Sequence, residues 1–483
     1  MAPAAPLNTD ATVDAAQDGH QLKRQMRLGD LVLAQVLTVV GSSWVGIAAG
    51  VGHAQLVVWL TAFLLFYAPM AVAVYFLNRI MPLEGGLYEW ARRSFGDTVG
   101  FMTAWNIWAY ALTSIATILF QIPSELAYLI GPAAAGLPDN HALVYTLLAA
   151  IVLLLTWTAV RGLSLGKWIH NISGSAMILA FALLIVAPLF AFLHGAPLHY
   201  APLALHLPPT DARSLSLMGQ VLFAAAGLEY IAIMAGETHA ADSAIGRSVV
   251  VATPIILGMF VLGTASVVSV HGVHAGTAIN YVAPIPQTLT LAFGNGGAAA
   301  VIAKLAILLL QIRIVGAASY LFTGATRLPM TAGWDHLIPE WFTRMHPRHL
   351  TPTNSIYVTG LVVASLLVLG SAGVHAAEAF GVLNDASSEF YALAYLAMFL
   401  IPICGARAVR DRLPRWVAAI CACGVVAILF VLVMNAYPFV DVRSPLAFAV
   451  KIVGTVFLVN AFGYMFYRSR QLVARAGKFN ARA

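Results

Sequence analysis

Ionisable side chains inside apolar runs are the first places to look for chemistry in this chain. Arg313 lies mid-way along one such run, two residues from Gln311, and Asp385 and Glu389 stand one helical turn apart in another. Glu229, Lys304 and Lys451 are also embedded in apolar sequence. A charge at a bilayer centre costs at least ~2.5–3.5 kcal/mol on insertion scales, so each is paired or serves the path of an ion or substrate. Asp385, Glu389 and Glu229 are the acids that could pair with Arg313 and make it structural. Unpaired and facing a cavity, Arg313 would instead favour an acidic substrate. Lys304 can pair with Asp385 or extend to the interface, and Lys451 is peripheral. Ser319 and Thr323, one turn apart, could offer oxygens to a sodium ion, although hydroxyls in membrane helices usually bond their own backbone or another helix. No metal-ligand spacing, nucleophile elbow or phosphate loop is present. That argues against an enzyme and against any cofactor.

The elements that must position these groups are membrane spans. The 483 residues are 60% hydrophobic and only 10% charged, whereas soluble domains carry about 25% charged residues. Crossing a bilayer takes about 20 apolar residues. Twelve runs qualify, near residues 31–52, 56–78, 98–122, 142–160, 170–194, 214–236, 248–270, 298–325, 354–372, 380–402, 416–436 and 446–467. Of the 26 Lys and Arg residues, only Arg213 and Arg443 fall in outward loops, and Lys304, Arg313 and Lys451 fall inside spans. The positive-inside rule then puts both termini in the cytoplasm and the chain in the cytoplasmic (inner) membrane as a multi-pass protein. The net charge is +6, but the basic residues sit in short loops between apolar runs rather than on one patch, so the partner implied is the lipid bilayer and not nucleic acid. Cys404, Cys421 and Cys423 read as reduced packing residues.

Two spans are interrupted. The first contains Val40-Gly41-Ser42-Ser43-Trp44-Val45-Gly46, whose glycines and hydroxyls disfavour an unbroken helix. Lipid does not tolerate unsatisfied backbone, so a break at membrane depth lines a protein-enclosed cavity; alternatively, the small residues let another helix pack closely. The sixth span carries Phe223-Ala224-Ala225-Ala226-Gly227-Leu228-Glu229. Paired interruptions in corresponding spans point to a transporter site. The expected fold is an all-α membrane protein of 12 transmembrane helices. Two inverted five-helix repeats (helices 1–5 and 6–10, with helices 1 and 6 broken) are followed by helices 11 and 12. The matching segments are a tail at 1–28, repeats at 29–195 and 196–403, the last two helices at 404–468 and a tail at 469–483. Leu83 to Phe95 reads as an amphipathic stretch, with Leu87, Trp90 and Ala91 opposed to Glu89, Arg92 and Arg93. Leu289-Leu291-Ala292-Phe293 suggests a short helix over a cavity mouth.

Over nearly its full length the chain resembles the amino acid–polyamine–organocation permeases. Gly41 to Gly46 is similar to that superfamily's first-span break. Pro82 to Tyr88, with Phe95-Gly96 and Trp105, is similar to its cytoplasmic loop and third-span entry. Phe223 to Glu229 followed by Ala235-Gly236-Glu237-Thr238 resembles its sixth-span signature. Arg327, Leu337-Ile338-Pro339 and Thr351-Pro352-Thr353-Asn354 resemble the segment after its eighth span. The resemblance implies a leucine-transporter-type fold and secondary transport of amino acids or related amines. Ser43 stands where the superfamily usually has glycine, Trp44 where a medium aliphatic is common, and Ala225 where a gating aromatic is frequent. Trp44 would then fill the volume Ala225 leaves, or else face a neighbouring helix. Some relatives drive transport with a lysine in the fifth span; Met177 occupies that position here.

N–H groups freed near Ser42 and Ser43 sit at a helix N-terminus and favour a carboxylate. Carbonyls freed across Phe223, Ala224, Ala225, Ala226 and Gly227 would accept from an ammonium group. Gly41, Ser42, Ser43, Trp44 and Gly46, together with those five, are the expected substrate-binding residues. Glu229, Gln311, Arg313, Asp385 and Glu389 are expected in gating or coupling, and Ser319 with Thr323 is the candidate ion site. The expected function is a permease moving an amino acid or small amine by alternating access, coupled to H+, to Na+ or to neither. A polyamine carrier, an exchanger without a coupling ion and a non-transporting sensor are the alternatives.

Overall fold

The computed structural model describes residues 28–81, 86–227, 241–274, 277–331, 338, 340–347, 349, 351–371 and 374–480. Every regular element among them is helical. Among the described residues ten helices are long and apolar enough to cross a membrane, and the pair Leu28–Val39 (α1) and Ser42–Ala49 (α2), bent by 47°, counts as an eleventh when taken as one broken span. The sixth expected span is described only as Ala212–Ala224, and Glu229 lies outside the described residues.

The other spans follow in chain order: α3 (Gly52–Ile80), α5 (Asp97–Ile130), α6 (His141–Arg161), α7 (Leu163–Leu193), α8 (Ala212–Ala224), α9 (Ala241–Val273), α11 (Gly297–Thr331), α12 (Thr353–Ser371), α13 (Ala376–Cys404), α14 (Arg415–Met434) and α15 (Pro445–Asn480). Between them lie α4 (Gly86–Phe95) and α10 (Pro284–Phe293). At the centre, α5 packs along both α11 and α13, while α1 rests on α7 and α9 and α2 on α8, α9 and α10. The middle of the bundle is therefore lined by α5, α11, α13 and the two breaks. Lipid supplies no hydrophobic drive between helices, so contact there depends on close approach. At Gly316 of α11 a Cβ would stand 2.2 Å from the Ser173 Cβ of α7, and Ser173 Oγ donates to the Ile312 carbonyl at 3.0 Å.

Helix α4 buries Leu87, Trp90 and Ala91, as its pattern predicts. Glu89 departs from that pattern. It is buried rather than solvated, because Arg92 grips both of its oxygens (2.8 and 2.7 Å) and Arg93 adds a third bond at 3.0 Å. Burial works to raise the Glu89 carboxyl, but the bonds from Arg92 and Arg93 outweigh it and hold the group below its ordinary range.

Two stability predictions follow from this packing. Gly316→Ala forces α7 and α11 apart and destabilises by about 1–3 kcal/mol, typical of overpacking, whereas Gly454→Ala meets nothing within 4 Å and is neutral; thermal unfolding in detergent separates them. A carboxyl held low in the fold stabilises above the ordinary glutamate range, and the gain is lost as pH falls through the depressed value. Glu89→Gln accordingly lowers stability at neutral pH and flattens the acid limb of the stability–pH curve.

Candidate functional site

The first span stops at Val39 because Val40 and Gly41 leave helical geometry, Gly41 at φ −101° and ψ 141°. Helix α2 restarts at Ser42 with no side chain capping its first turn. Those first-turn N–H groups are the orphan donors of any helix start. Gly41 is small for a visible reason: a Cβ there would lie 2.6 Å from Cδ1 of the Trp44 indole, which folds back over it. In the sixth span the helix ends at Ala224, and Gly227 adopts φ +117°, a backbone conformation open to glycine. Its N–H donates to the Tyr395 hydroxyl at 2.9 Å. A Cβ on Gly227 would lie 3.5 Å from Val39 Cγ2, so the two breaks abut.

They enclose a cavity of about 70 Å³. From the first break come Gly41, Ser43 and Trp44, and from the second Phe223, Ala224 and Ala226. Helix α5 presents Tyr110, Ser114, Thr117 and Gln121 in successive turns, α13 presents Asn384, Ser387 and Ser388, and α11 presents Arg313. Ser114 and Ser387 are hydrogen-bonded across the gap between α5 and α13. On the α10 side, α2 closes against the short helix: a Cβ on Gly46 would stand 2.4 Å from the Pro284 Cβ. On the other side Tyr110 stacks on Tyr391 at 3.7 Å, and Tyr391, Tyr395, Phe66 and Phe223 form a continuous aromatic cluster. Phe66 reaches it from a π-helical turn, Phe63–Tyr67, in α3.

Arg313 does not form the ion pair expected with Asp385 or Glu389. It is 2% exposed, faces the cavity and has no carboxylate oxygen within 4.0 Å among the described residues. Nη1 reaches Ser42 Oγ at 3.4 Å, and Nε is buried without a partner. The nearby acid is Glu125 of α5, fully buried behind Ser42, which receives Ser42 Oγ at 3.2 Å and Gln311 Nε2 at 3.0 Å. Ser42 Oγ also donates to Gln121 Oε1 at 2.8 Å. Asp385 points elsewhere and accepts from Gln220 at 2.7 Å and Asn384 at 3.2 Å. Glu389, also buried, is likewise off the cavity lining. Lys451 pairs with Glu378 at 2.7 Å rather than standing alone.

Ala225 is buried but does not line the cavity, so Trp44 enters the lining without replacing an aromatic at that position. Ser42, Gly46 and Gly227, expected in the site, are buried but are not among the residues that line the cavity. Ser319 and Thr323 line a separate small cavity with Arg327 and Thr351, and Thr323 Oγ1 donates to the Ser319 carbonyl at 2.9 Å. That hydroxyl is spent on its own helix.

A bundle of apolar spans built round a broken helix, with a cavity at the break that carries several polar side chains, is a multi-pass membrane transporter. Over residues 31–458 the chain matches the amino acid permease family, and it belongs to that family. It is 24% identical over 393 residues to an uncharacterized transporter of Legionella pneumophila, covering 79% of this chain and 81% of that one. It is 25% identical over 241 residues to a probable agmatine/putrescine antiporter of Lactococcus lactis, about half of each chain (49% and 50%). A putative arginine/ornithine antiporter of Escherichia coli is 23% identical over 314 residues, 62% of this chain and 64% of that one. The crystal structure of MhsT in complex with L-phenylalanine superposes with a TM-score of 0.60 at 16% identity, covering 86% of this chain and all of the other. The fold is of the leucine-transporter type, and the protein is a transporter of the amino acid permease family rather than an enzyme.

Ser43 is 4% exposed and lines the cavity. Ser43→Trp should fill the cavity and abolish uptake into proteoliposomes while leaving the protein folded by size-exclusion profile. Normal uptake by this variant would place the substrate elsewhere.

Proposed function

We propose that this permease carries a small amino acid as its zwitterion through the cavity between the two breaks, by alternating access. The observation that carries the proposal is the charge of the lining: Arg313 and the uncapped start of α2 lie on one side, and among the described residues the rest of the lining is uncharged. A carboxylate fits beside Arg313 and Ser43, since guanidinium and helix-start N–H groups both favour an anion. The amino group is then left to the carbonyls at the end of α8. The volume supports a small side chain, because on the same measure one water needs ~10–15 Å³. In this reading both termini lie in the cytoplasm, and the contact of α2 with α10 closes the outer mouth.

A carrier of diamines would need an acid facing the cavity to receive the second ammonium. Asp385 and Glu389 are held away from it, which favours the amino acid over the polyamine alternative. Selective binding raises apparent stability, so a thermal-shift series on purified protein tests the choice. Neutral or acidic L-amino acids are expected to raise Tm, and putrescine and agmatine to leave it unchanged. Stabilisation confined to the amines would overturn the assignment. Binding without counterflow in proteoliposomes would identify a sensor instead of a carrier.

A further inference from the structure

Behind the cavity, Glu125 and Arg313 are two fully buried opposite charges held apart by one hydroxyl. Ser42 Oγ has a single hydrogen to give and two claimants, Gln121 Oε1 at 2.8 Å and Glu125 Oε1 at 3.2 Å, while it accepts from Arg313 Nη1 at 3.4 Å. With Glu125 ionised, the hydroxyl satisfies only one claimant. With a proton on Glu125, that carboxyl donates to Ser42 Oγ, the hydroxyl donates to Gln121, and every contact is used. Gln311 Nε2 serves the other oxygen of Glu125 at 3.0 Å in either state. Passing between the two states requires a hydroxyl rotation and no movement of heavy atoms. Gln121 and Arg313 line the cavity, which gives a proton a short way in through Ser42.

Arg313 links this node to the cargo. Its Nε is buried and unpartnered, an expensive condition for a charged donor that an incoming carboxylate would relieve. Once that carboxylate shares the guanidinium, Glu125 faces a like charge and loses most of its counter-charge. Two carboxylates sharing a site do not both stay ionised. Among the described residues, the groups that hydrogen-bond at this node are Ser42 of α2, Gln311 and Arg313 of α11 and Gln121 of α5. Asp385 of α13, which also packs along α5, is engaged by Gln220 and Asn384, and Glu389 of the same helix does not line the cavity.

We infer that Glu125 is the proton carrier of a substrate–proton symport, taking up one proton each time a substrate carboxylate occupies Arg313 and releasing it when the substrate leaves. The inference rests on the amino acid reading above. Binding of each ligand strengthens binding of the other, and such coupling is reciprocal.

The test uses the full-length protein in proteoliposomes with a radiolabelled mixture of the common L-amino acids. Counterflow at equal pH reports transport itself, and accumulation driven by an acid-outside gradient reports coupling. The wild type should show both, with acidification of the lumen, read by an internal pH dye, accompanying uptake. In Glu125→Gln the ratio of gradient-driven accumulation to counterflow should fall about tenfold or more, and Glu125→Asp, which keeps a carboxylate, should restore it in part. A wild-type protein that exchanges without moving protons overturns the inference whatever the variants do, as does gradient-driven accumulation undiminished in Glu125→Gln. Absence of wild-type counterflow with every amino acid in the mixture would instead overturn the transport reading on which it stands.

Discussion

Backbone polar groups cannot be left bare inside a membrane, and the architecture turns on how two helices are allowed to stop there. The first stops at Val39 and restarts at Ser42, exposing uncapped N–H groups. The second stops at Ala224, and the N–H of Gly227 is taken by Tyr395 from α13. Each interruption is tolerable only because the other lies against it and because α5, α11 and α13 wall the space off from lipid. The cavity is a consequence of that constraint. So is its polarity, since groups that cannot be satisfied within a helix must find partners in neighbouring ones.

Much of this was legible in the chain. Glycines and serines at 41–43 marked the first break, the alanine run ending in Gly227 marked the second, and α10 fell where a short helix over the mouth was expected. The residue that matters most in our inference was not found, for an identifiable reason. The third span was drawn only over residues 98–122, which left Glu125 just outside it. In the structure α5 absorbs Pro123 and continues to Ile130, so Glu125 is a buried helical residue and not part of a loop. The signal that could have recovered it is periodic: Ser114, Thr117, Gln121 and Glu125 recur at three- and four-residue spacing on one face of an otherwise apolar helix.

Other readings depended on partners that no local pattern names. Glu89 looked solvated beside two arginines, yet those arginines are what permit it to be buried. Trp44 looked like a replacement for a missing aromatic at Ala225, but its indole is placed by the space over Gly41. In both cases the residues were noticed and the contact between them was not. Composition and spacing identify which residues are unusual, while the tertiary packing decides what each one answers to.

The acids of α13 show how fine that decision is. Asn384, Ser387 and Ser388 face the cavity, whereas Asp385 and Glu389 do not. One step along a helix rotates a side chain by about 100°, enough to carry an acid from the transport path into a structural cluster with Gln220, Asn384 and Asn435. Had α13 been turned by that one step, two carboxylates would face Arg313 across the cavity, and the lining would suit a cation. As built, the lining keeps its positive charge, and Glu125 is linked to it by hydrogen bonds through Ser42. The selectivity of the cavity and the means of coupling it to protons therefore follow from a single arrangement: a guanidinium that faces inward and a carboxyl that reaches it only through a hydroxyl.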